Sequence, residues 1–508
     1  MLRTFFICAL LAASLPNPGS GRVFVSATDP TCGGQAPCFT TIQAAVDAAA
    51  SGEEVSVAAG TYTGVGPVDL GGDVYHQVVM ITDSVLLQGG YATTDWTTPD
   101  PSSNPTVIDA ENAGRAVSIV GDGSQTVTIA GLSIINGDYS DFGNAEGEFN
   151  VCPRTSADCG GGLLARGVEI HIEDCEFQNN TASTTNVNSD GGGALIWDAS
   201  HGSSVRNSRF SNNQIPTFDG QGGGMWITFG GALAIEDCEF VDNFAAARGG
   251  GFGGFQPVGL VSVRNVILRS NEGRGEGGGV DFRVSREGLN LEIDGATFHD
   301  NQSLFGATAL HLLKQGNSDS TVTVDNLLFG LNPSDMPDAE NTVVQIEASS
   351  GNFGATLRQA TFFDFTDQAA IRGRTHNAAV TLQIDVINSL MVSGSRAFQL
   401  DEDFGELTLD HTNTWTHDVP TLEATDDGTP SFNGVGAMSG DPLITVDGFL
   451  TADSPVIDAG VDSGVADDIE GDPRPLGIAH DIGADEFAVI FADGFESGDV
   501  SAWSSSTP

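Results

Sequence analysis

Six charged side chains in the second half of the chain are the residues best suited to chemistry. They occur in successive alternating segments: Asp281, Arg283, His311, Glu347, Arg372 and Arg374. If these segments are neighbouring strands, the charged residues meet on one face. Arg283 or Arg374 could then act as the base that removes a proton beside a uronate, while Asp281 and Glu347 hold Ca²⁺. The alternative is an ordinary surface of salt bridges.

Hydrolysis of a glycosidic bond requires two carboxyl groups at a set separation. An adjacent pair, Asp467-Asp468, lies in the acidic C-terminal region. The chain contains neither the Asn-Thr-Asp nor the Gly-His-Gly signature of polygalacturonase-type enzymes. The sequence therefore favours binding over catalysis and leaves a polysaccharide lyase or glycoside hydrolase as the alternative.

Three aromatic residues occupy similar alternating segments earlier in the chain: Trp197, Trp226 and Phe255. If Val280 and Phe282 face inward, the aligned aromatics face outward and stack at the spacing of strands. Such an exposed strip would suit the C–H faces of sugars, so we expect it to bind carbohydrate. A shift of one residue in the register would bury the same side chains.

A repeating unit must position these residues. Glycine triplets begin at Gly160, Gly191, Gly222, Gly249 and Gly277, and a Phe/Leu-x-x-Asn landmark follows each of them, ending at Asn180, Asn213, Asn243, Asn271 and Asn301. A repeat of roughly 30 residues indicates stacked supersecondary units. The alternation within each unit indicates strands, and glycine and asparagine suit corners with positive φ. The pattern predicts one all-β domain, a single parallel β-helix of roughly a dozen coils.

The position two residues before each landmark tests this register. Small or apolar residues fill it: Cys175, Ser208, Cys238, Val266, Ala296 and Leu327. It should point inward. Cys175 and Cys238 would then lie two coils apart, roughly 9.6 Å, which is too far for a disulfide. We expect them to be buried free thiols.

The start of the chain supports the same fold. Residues 1–21 contain Arg3 and an apolar run from Phe5 to Leu15, typical of a secretory signal peptide. In residues 41–63 a short helical face gives way to alternating Val55 and Val57. This stretch resembles the N-terminal cap of the pectin-lyase-like superfamily of right-handed parallel β-helices. The resemblance implies a right-handed solenoid, residues 22–440, with a capping helix at its start.

The later repeats and the C-terminal region carry two further resemblances. The glycine-rich units resemble the repeats of polymorphic outer-membrane proteins. Residues 441–490 resemble the choice-of-anchor Q module of bacterial surface proteins, with Asp485 where that module has an aromatic residue. These resemblances imply a bacterial protein at the outer cell surface or outside the cell. Residues 491–508 form a tail without an assigned role.

The acidic module also contains candidate ligands for Ca²⁺: Asp458, Asp468, Asp472, Asp481 and Glu486. An equally good interpretation is turn chemistry around a buried Arg474 that pairs with an Asp. The sequence therefore predicts no cofactor with certainty, and Ca²⁺ is the one candidate.

Charge and cysteine content limit the partners and the compartment. The formal net charge of −49 repels nucleic acid, and no segment after the signal peptide is apolar enough to span a membrane. The short spacing of Cys32 and Cys38, and of Cys152 and Cys159, predicts two small-loop disulfides in an oxidising compartment, with metal binding as the alternative. We expect a secreted monomer that binds carbohydrate or another cell-surface ligand, as an adhesin or scaffold.

Overall fold

The computed structural model describes residues 21–144, 150–200, 202–256, 259–284, 290–332, 341–419, 421–427 and 429–487. Almost all regular structure in these residues is β-strand, arranged as a parallel β-helix of about a dozen coils. The predicted signal peptide, apart from Gly21, and the predicted tail lie outside the described residues.

Each coil supplies one strand to each of three parallel ladders. The first ladder contains Glu53–Ala58, Val85–Tyr91, Thr126–Ala130, Glu169–Glu173, Ser203–Arg206, Leu233–Glu236 and Ser431–Val435. The second contains Gly60–Tyr62, Thr106–Asp109, Ser133–Ile135, Glu176–Gln178, Arg209–Ser211, Glu239–Val241, Trp415–His417 and Met438–Ser439. The third contains Asp73–Ile81, Arg115–Val120, Leu163–Arg166, Ala194–Trp197, Met225–Thr228, Phe252–Phe255, Val280–Val284, Ala307–Lys314, Thr342–Ala348 and Thr421–Asp427.

Long strands continue through the corners and join more than one ladder. They are Val261–Arg269, Asn290–His299, Ser320–Gly330, Phe353–Ile387 and Leu390–Thr412. Short strands outside the ladders form two small parallel sheets: Ala157–Cys159 with Asn188–Asp190 and Asp219–Gln221, and Gln214–Ile215 with Phe244–Ala245 and Glu272–Gly273. Gly66–Leu70 pairs antiparallel with Asp73–Ile81.

A short helix covers the first coil, as predicted. It spans Ile42–Ala48, and the Thr41 side chain accepts a hydrogen bond from the backbone N–H of Ala44. Ile42 and Ala45 are buried in the solenoid core. Strands Arg22–Val25 and Cys38–Phe39 pair beside the first ladder, and a 3-10 turn spans Cys32–Gly34. Together these elements cover apolar side chains that the first coil would otherwise expose.

The two landmarks of the repeat have different structural roles. The first glycine of each triplet has a positive φ, for example 68° at Gly191. The landmark asparagines form a buried column instead, in which the Asn243 amide donates to Phe210 O and to Asn271 Oδ1 at 2.9 Å each. The positive-φ corner is the residue before each asparagine, such as Asp242 with φ 56°. The expectation that the landmark asparagines provide the corner is therefore wrong by one residue.

Stacked side chains fill the solenoid core. Phe177, Phe210 and Phe240 stack face to face, with ring centroids 4.5 and 4.8 Å apart. The column two residues before the landmark is buried, as predicted, and Cys175 and Cys238 are free thiols within it. Both predicted disulfides are present, Cys32–Cys38 and Cys152–Cys159.

Residues 441–487 pack along the outside of the second ladder. Leu450, Val456 and Ile482 form an apolar cluster with outward residues of the ladder that include Phe363 and Leu390. Hydrogen bonds fix this segment to the solenoid, for example from the Ala484 N–H to Thr361 Oγ1 at 2.9 Å. It therefore covers an apolar side of the solenoid.

Candidate functional site

The third ladder brings the predicted charged residues together. In the strand register, one outward column reads Asp281, His311, Gln345 and Arg372, and the next reads Arg283, Leu313, Glu347 and Arg374. Glycine triplets predict this register for Asp281 and Arg283, and the alignment of the later units without triplets predicts it for the other charged residues. We call the resulting cluster the charged strip, and its members are Glu276, Asp281, Arg283, His311, Glu347, Arg372, Arg374, His376, Asp401 and Asp403.

His311 lies at the centre of the charged strip, between two carboxylates. Its Nδ1 is 2.6 Å from Asp281 Oδ2, and its Nε2 is 3.7 Å from Glu347 Oε2. Burial alone would lower the pKa of His311, but the hydrogen bond to Asp281 and the carboxylate of Glu347 raise the pKa to about 10. His311 is therefore an imidazolium at neutral pH.

The neighbouring carboxylates are held in their charged form. Burial favours protonation of Asp281, but Arg283 and His311 outweigh it and lower its pKa. Burial acts on Glu347 in the same way, and His311 and His376 hold the pKa of Glu347 well below its usual range. Neither carboxylate can act as a general acid at neutral pH.

The electrostatics of this cluster disfavour two of the predicted roles, which stay predictions. Burial lowers the pKa of both arginines, but Asp281 and Glu276 raise that of Arg283, and Asp403 raises that of Arg374. With pKa values raised on balance, neither arginine can act as a base. The space predicted for Ca²⁺ between Asp281 and Glu347 holds the imidazole of His311, with Nδ1 2.6 Å from Asp281 Oδ2 and Nε2 3.7 Å from Glu347 Oε2.

Within the described part of the chain, one group of side chains has the spacing of metal ligands. Ligand atoms of Glu276, Asp281 and His311 lie within 4.8 Å of one another. However, Arg283 contacts Glu276 and donates from Nε to Asp281 Oδ1 at 3.1 Å. The guanidinium and the imidazolium already neutralise both carboxylates, so these residues fit an ion-pair network better than a metal site.

One edge of the charged strip reaches solvent. The side chains of Arg374, His376 and Asp403 are 33%, 30% and 25% exposed. His376 Nε2 is 3.1 Å from Glu347 Oε2, and Arg374 Nε donates to Asp403 Oδ2 at 3.0 Å. The ring of Phe404, 61% exposed, belongs to the strand partner of His376. These groups form a half-exposed surface fixed from below by buried ion pairs.

Sequence reasoning missed His376, Asp403 and Phe404. The alternation that selected Arg372 and Arg374 continues to His376, so one more step along the strand would have found it. The next coil has no glycine triplet, and its register could not be aligned from the sequence. Asp401, which accepts from Arg372 Nε, was missed for the same reason.

The predicted exposed aromatic strip is wrong at its centre, because Trp226 is only 1% exposed. The register is correct, and Trp226 does point out of the solenoid. A loop closed by Cys152–Cys159 covers this part of the third ladder, and Trp226 packs with Tyr139 and Cys152 in a second apolar cluster. Trp197 and Phe255 pack at the margin of this cluster and stay half-buried.

The predicted metal ligands of the C-terminal segment do not converge on a metal site in the described residues. Asp458, Asp468, Asp481 and Glu486 accept hydrogen bonds from backbone N–H groups, and Asp472 is exposed. Arg474 is buried and donates to Glu486 Oε2 at 2.8 Å. These hydrogen bonds agree with the turn interpretation, although the partner of Arg474 is a Glu rather than an Asp, and the Ca²⁺ alternative stays a prediction.

Comparison with known proteins agrees with this architecture. The family model described as "Right handed beta helix region" matches residues 115–329. The fold is a right-handed parallel β-helix. No curated protein matches the chain.

Two solved structures are similar to this chain. The crystal structure of pectate lyase Pel9A is 15% identical, covers 92% of this chain and 97% of its own, and has a TM-score of 0.41. The A-module of the Azotobacter vinelandii mannuronan C-5 epimerase AlgE6 is also 15% identical, covers 79% of this chain and 94% of its own, and has a TM-score of 0.31. At these values neither likeness bears on function.

Proposed function

We propose that this protein binds an extended carbohydrate through the solvent edge of the charged strip. The observation that carries the proposal is the half-exposed group Arg374, His376 and Asp403, beside which Phe404, the strand partner of His376, has a ring that is 61% exposed. Guanidinium, imidazole and carboxylate groups can bond sugar hydroxyls, and an aromatic face packs against sugar C–H groups. Buried ion pairs hold the polar groups in position before binding, which reduces the entropy lost on association.

The protonation states of the strip favour binding over catalysis. Arg283 and Arg374 remain charged, His311 is an imidazolium, and Asp281 and Glu347 remain carboxylates. A glycoside hydrolase needs a carboxyl group with a raised pKa to protonate the leaving oxygen. Two carboxyl groups with raised pKa values, Asp481 at about 6 and Asp485 at about 7, lie in the C-terminal segment, away from the strip.

A polysaccharide lyase is the second candidate, and one observation favours it. Glu347 orients the imidazole of His376, and Arg374 lies two residues away on the same strand. A neutral His376 could remove the C5 proton of a uronate whose carboxylate is paired with Arg374.

We place the protein outside the cell or on its surface, as an adhesin or scaffold. The apolar run from Phe5 to Leu15 and the two disulfides support export. We propose that residues 441–490 are a choice-of-anchor Q-like module after the solenoid, and that the protein is a monomer. No helix in the described residues has the length and apolar character that a membrane span requires.

The test is retention of the purified protein on a panel of insoluble neutral and acidic polysaccharides. Unsaturated uronates and reducing ends are followed in the same reactions. We expect retention without product, weakened at least tenfold by Arg374→Ala and by His376→Ala. Arg209→Ala is the matched control, because Arg209 is 45% exposed and pairs with Glu239 on the second ladder.

Three other results of the retention assay would contradict the proposal, each in a different way. Formation of unsaturated product that is abolished in His376→Ala would establish the lyase and overturn simple binding. Retention that is equal in the wild-type protein and both strip variants would exclude this surface as the binding site. Absence of retention on every polysaccharide would overturn the proposed function.

A further inference from the structure

A second polar depression lies at the corner between the third and first ladders, away from the charged strip. It has a volume of about 470 Å³, within the size range of ligand sites. Residues from four successive coils line it: Gly121, Asp122, Gly123, Arg166, Gly167, Asp198, Ala199, Ser200, Phe229, Gly230 and Gly231. We call it the corner groove. Three steps between coils give it a length of roughly 14 Å.

Backbone forms the floor of the corner groove. At the corner, Gly167 donates to Trp197 O at 3.0 Å, and Gly231 donates to Ala199 O at 2.8 Å. A Cβ at Gly121 would lie 2.9 Å from Gly167 O, so this position leaves no room for a side chain. The floor is therefore even, and the Gly167 and Gly231 N–H groups already have hydrogen-bond partners. A flat ligand can approach this backbone closely.

The walls of the corner groove carry the side chains that could select a ligand. Phe229 supplies a half-buried ring, with its centroid 6.2 Å from that of Phe255. Asp198 is exposed, and hydrogen bonds from Ser124 lower the pKa of Asp122 and keep it a carboxylate. Ser200 Oγ is buried without a hydrogen-bond partner.

Arg166 lines the corner groove, but its one positive charge is outnumbered by the two aspartates there. Its guanidinium lies over the Trp197 ring, 4.3 Å from the centroid, and also contacts Tyr75 Oη and Asn150 O. The two aspartates therefore dominate the electrostatics of the corner groove. In a chain with a net charge of −49, this region repels anions.

We propose that the corner groove binds a neutral oligosaccharide. Carboxylates accept hydrogen bonds from pairs of sugar hydroxyls, the Phe229 ring packs against a pyranose face, and the free Ser200 hydroxyl can donate to or accept from the ligand. This site is independent of the charged strip and does not depend on the function proposed for it.

The test is calorimetric titration of the purified protein with neutral tetrasaccharides of glucose, mannose and galactose, and with an acidic tetrasaccharide as comparison. We expect one neutral tetrasaccharide to bind, with affinity at least tenfold lower in Asp198→Asn and in Phe229→Ala. Asn tolerates the positive φ of 52° at position 198, so this variant should fold.

Gln256→Ala is the matched control for Phe229→Ala. Gln256 occupies the equivalent corner one coil later, with φ 53° against 52° for Phe229. Arg374→Ala should also leave this affinity unchanged, which separates the corner groove from the charged strip. Binding of none of the neutral tetrasaccharides, binding that both groove variants retain, or preference for the acidic tetrasaccharide would overturn the proposal.

Discussion

At the scale of single residues, His311 determines how the charged strip is held together. It is fully buried and supplies the positive charge between Asp281 and Glu347. Removal of one partner from a buried ion pair leaves an uncompensated charge and costs about 3–5 kcal/mol. The strip therefore depends on the protonation of His311.

We predict that the wild-type free energy of unfolding declines between about pH 6.5 and pH 10. The folded-state pKa of His311 is raised to about 10. Its contribution is therefore complete below the unfolded pKa of about 6.5 and is lost as the pH rises through the folded value. His311→Ala should be about 3–5 kcal/mol less stable at pH 6.5 and should lack this decline.

Urea unfolding at a series of pH values measures this effect. His299→Ala is the control, since His299 is 39% exposed beside Asp300 and should change stability by less than about 0.5 kcal/mol. A variant His311→Ala with the wild-type pH dependence would show that His311 does not hold the strip.

Substitution of Trp226 distinguishes a structural role of this side chain from a role in binding carbohydrate. Because it is buried beneath the Cys152–Cys159 loop, we predict that Trp226→Ala lowers the free energy of unfolding by about 3–5 kcal/mol. Under conditions where the variant is folded, its retention on polysaccharide should equal that of the wild type. Weakened retention by a fully folded Trp226→Ala variant would restore the aromatic strip as a binding surface.

The sequence could predict which residues share a column but not which columns are covered. The register of Trp226 and Asp281 followed from glycine triplets, because each triplet marks the same point of a coil, whereas His311 was aligned without one. The burial of Trp226 depends on the path of the loop closed by Cys152–Cys159, and this loop does not belong to the repeated units. For the same reason, the exposure of Phe404 could not be inferred.

At the scale of elements, the glycine triplets allow successive coils to approach closely. A Cβ at Gly192 would lie 2.4 Å from Gly223 O on the next coil, although Gly192 does not have a positive φ. We predict that Gly192→Ala destabilises the protein by about 1–3 kcal/mol or more, because the backbone must move. The midpoint of thermal or urea unfolding measures this change.

Gly66→Ala is the matched control for the triplet. A Cβ at Gly66 has no atom within 4 Å, and its φ is not positive. This substitution should change stability by less than about 0.5 kcal/mol. Equal effects of the two substitutions would mean that the triplets are not required by contact between coils.

The repeat landmarks were only partly interpretable from the sequence. Their period correctly predicted a solenoid, because Phe177 and its equivalents stack in one column. The landmark asparagines were expected to form corners, since Asn tolerates positive φ. Their amides instead satisfy backbone groups of neighbouring coils, a role that depends on contacts between coils and is not visible within a single unit.

At the scale of the whole molecule, buried acidic groups hold the C-terminal segment in its own fold, and Asp485 Oδ2 accepts a hydrogen bond from the Leu450 N–H at 2.6 Å. Burial raises the pKa of Asp485 to about 7, with Asp468 and Glu470 also raising it. A carboxyl group whose pKa is raised in the folded state contributes stability below the unfolded pKa of about 3.9. This contribution is lost as the pH rises through the folded-state pKa of about 7. We predict that protease cleaves this segment faster at pH 7.5 than at pH 4.5.

Two variants test this dependence on pH. Asp485→Asn should reduce the difference in cleavage rate between the two pH values, because it removes the titrating group. Asp472→Asn should retain the wild-type difference, because Asp472 is exposed. Cleavage that has the same pH dependence in Asp485→Asn and the wild type would exclude Asp485 as the cause.

The whole architecture was more predictable than its surfaces. Repeats, the capping helix at Ile42–Ala48 and both disulfides followed from local patterns. The packing of residues 441–487 against Phe363 and Leu390 involves contacts distant in sequence, which no local pattern encodes.

The most direct test of the central claim compares two exposed phenylalanines. Calorimetry would measure the affinity of an oligosaccharide cut from the polysaccharide that retains the protein. Phe404 adjoins His376 in the charged strip, whereas Phe218, 85% exposed, lies outside it. We predict that Phe404→Ala weakens binding about tenfold, or about 1.4 kcal/mol, and that Phe218→Ala leaves it unchanged. Wild-type affinity in Phe404→Ala, or an equal loss in Phe218→Ala, would contradict a binding site on the strip.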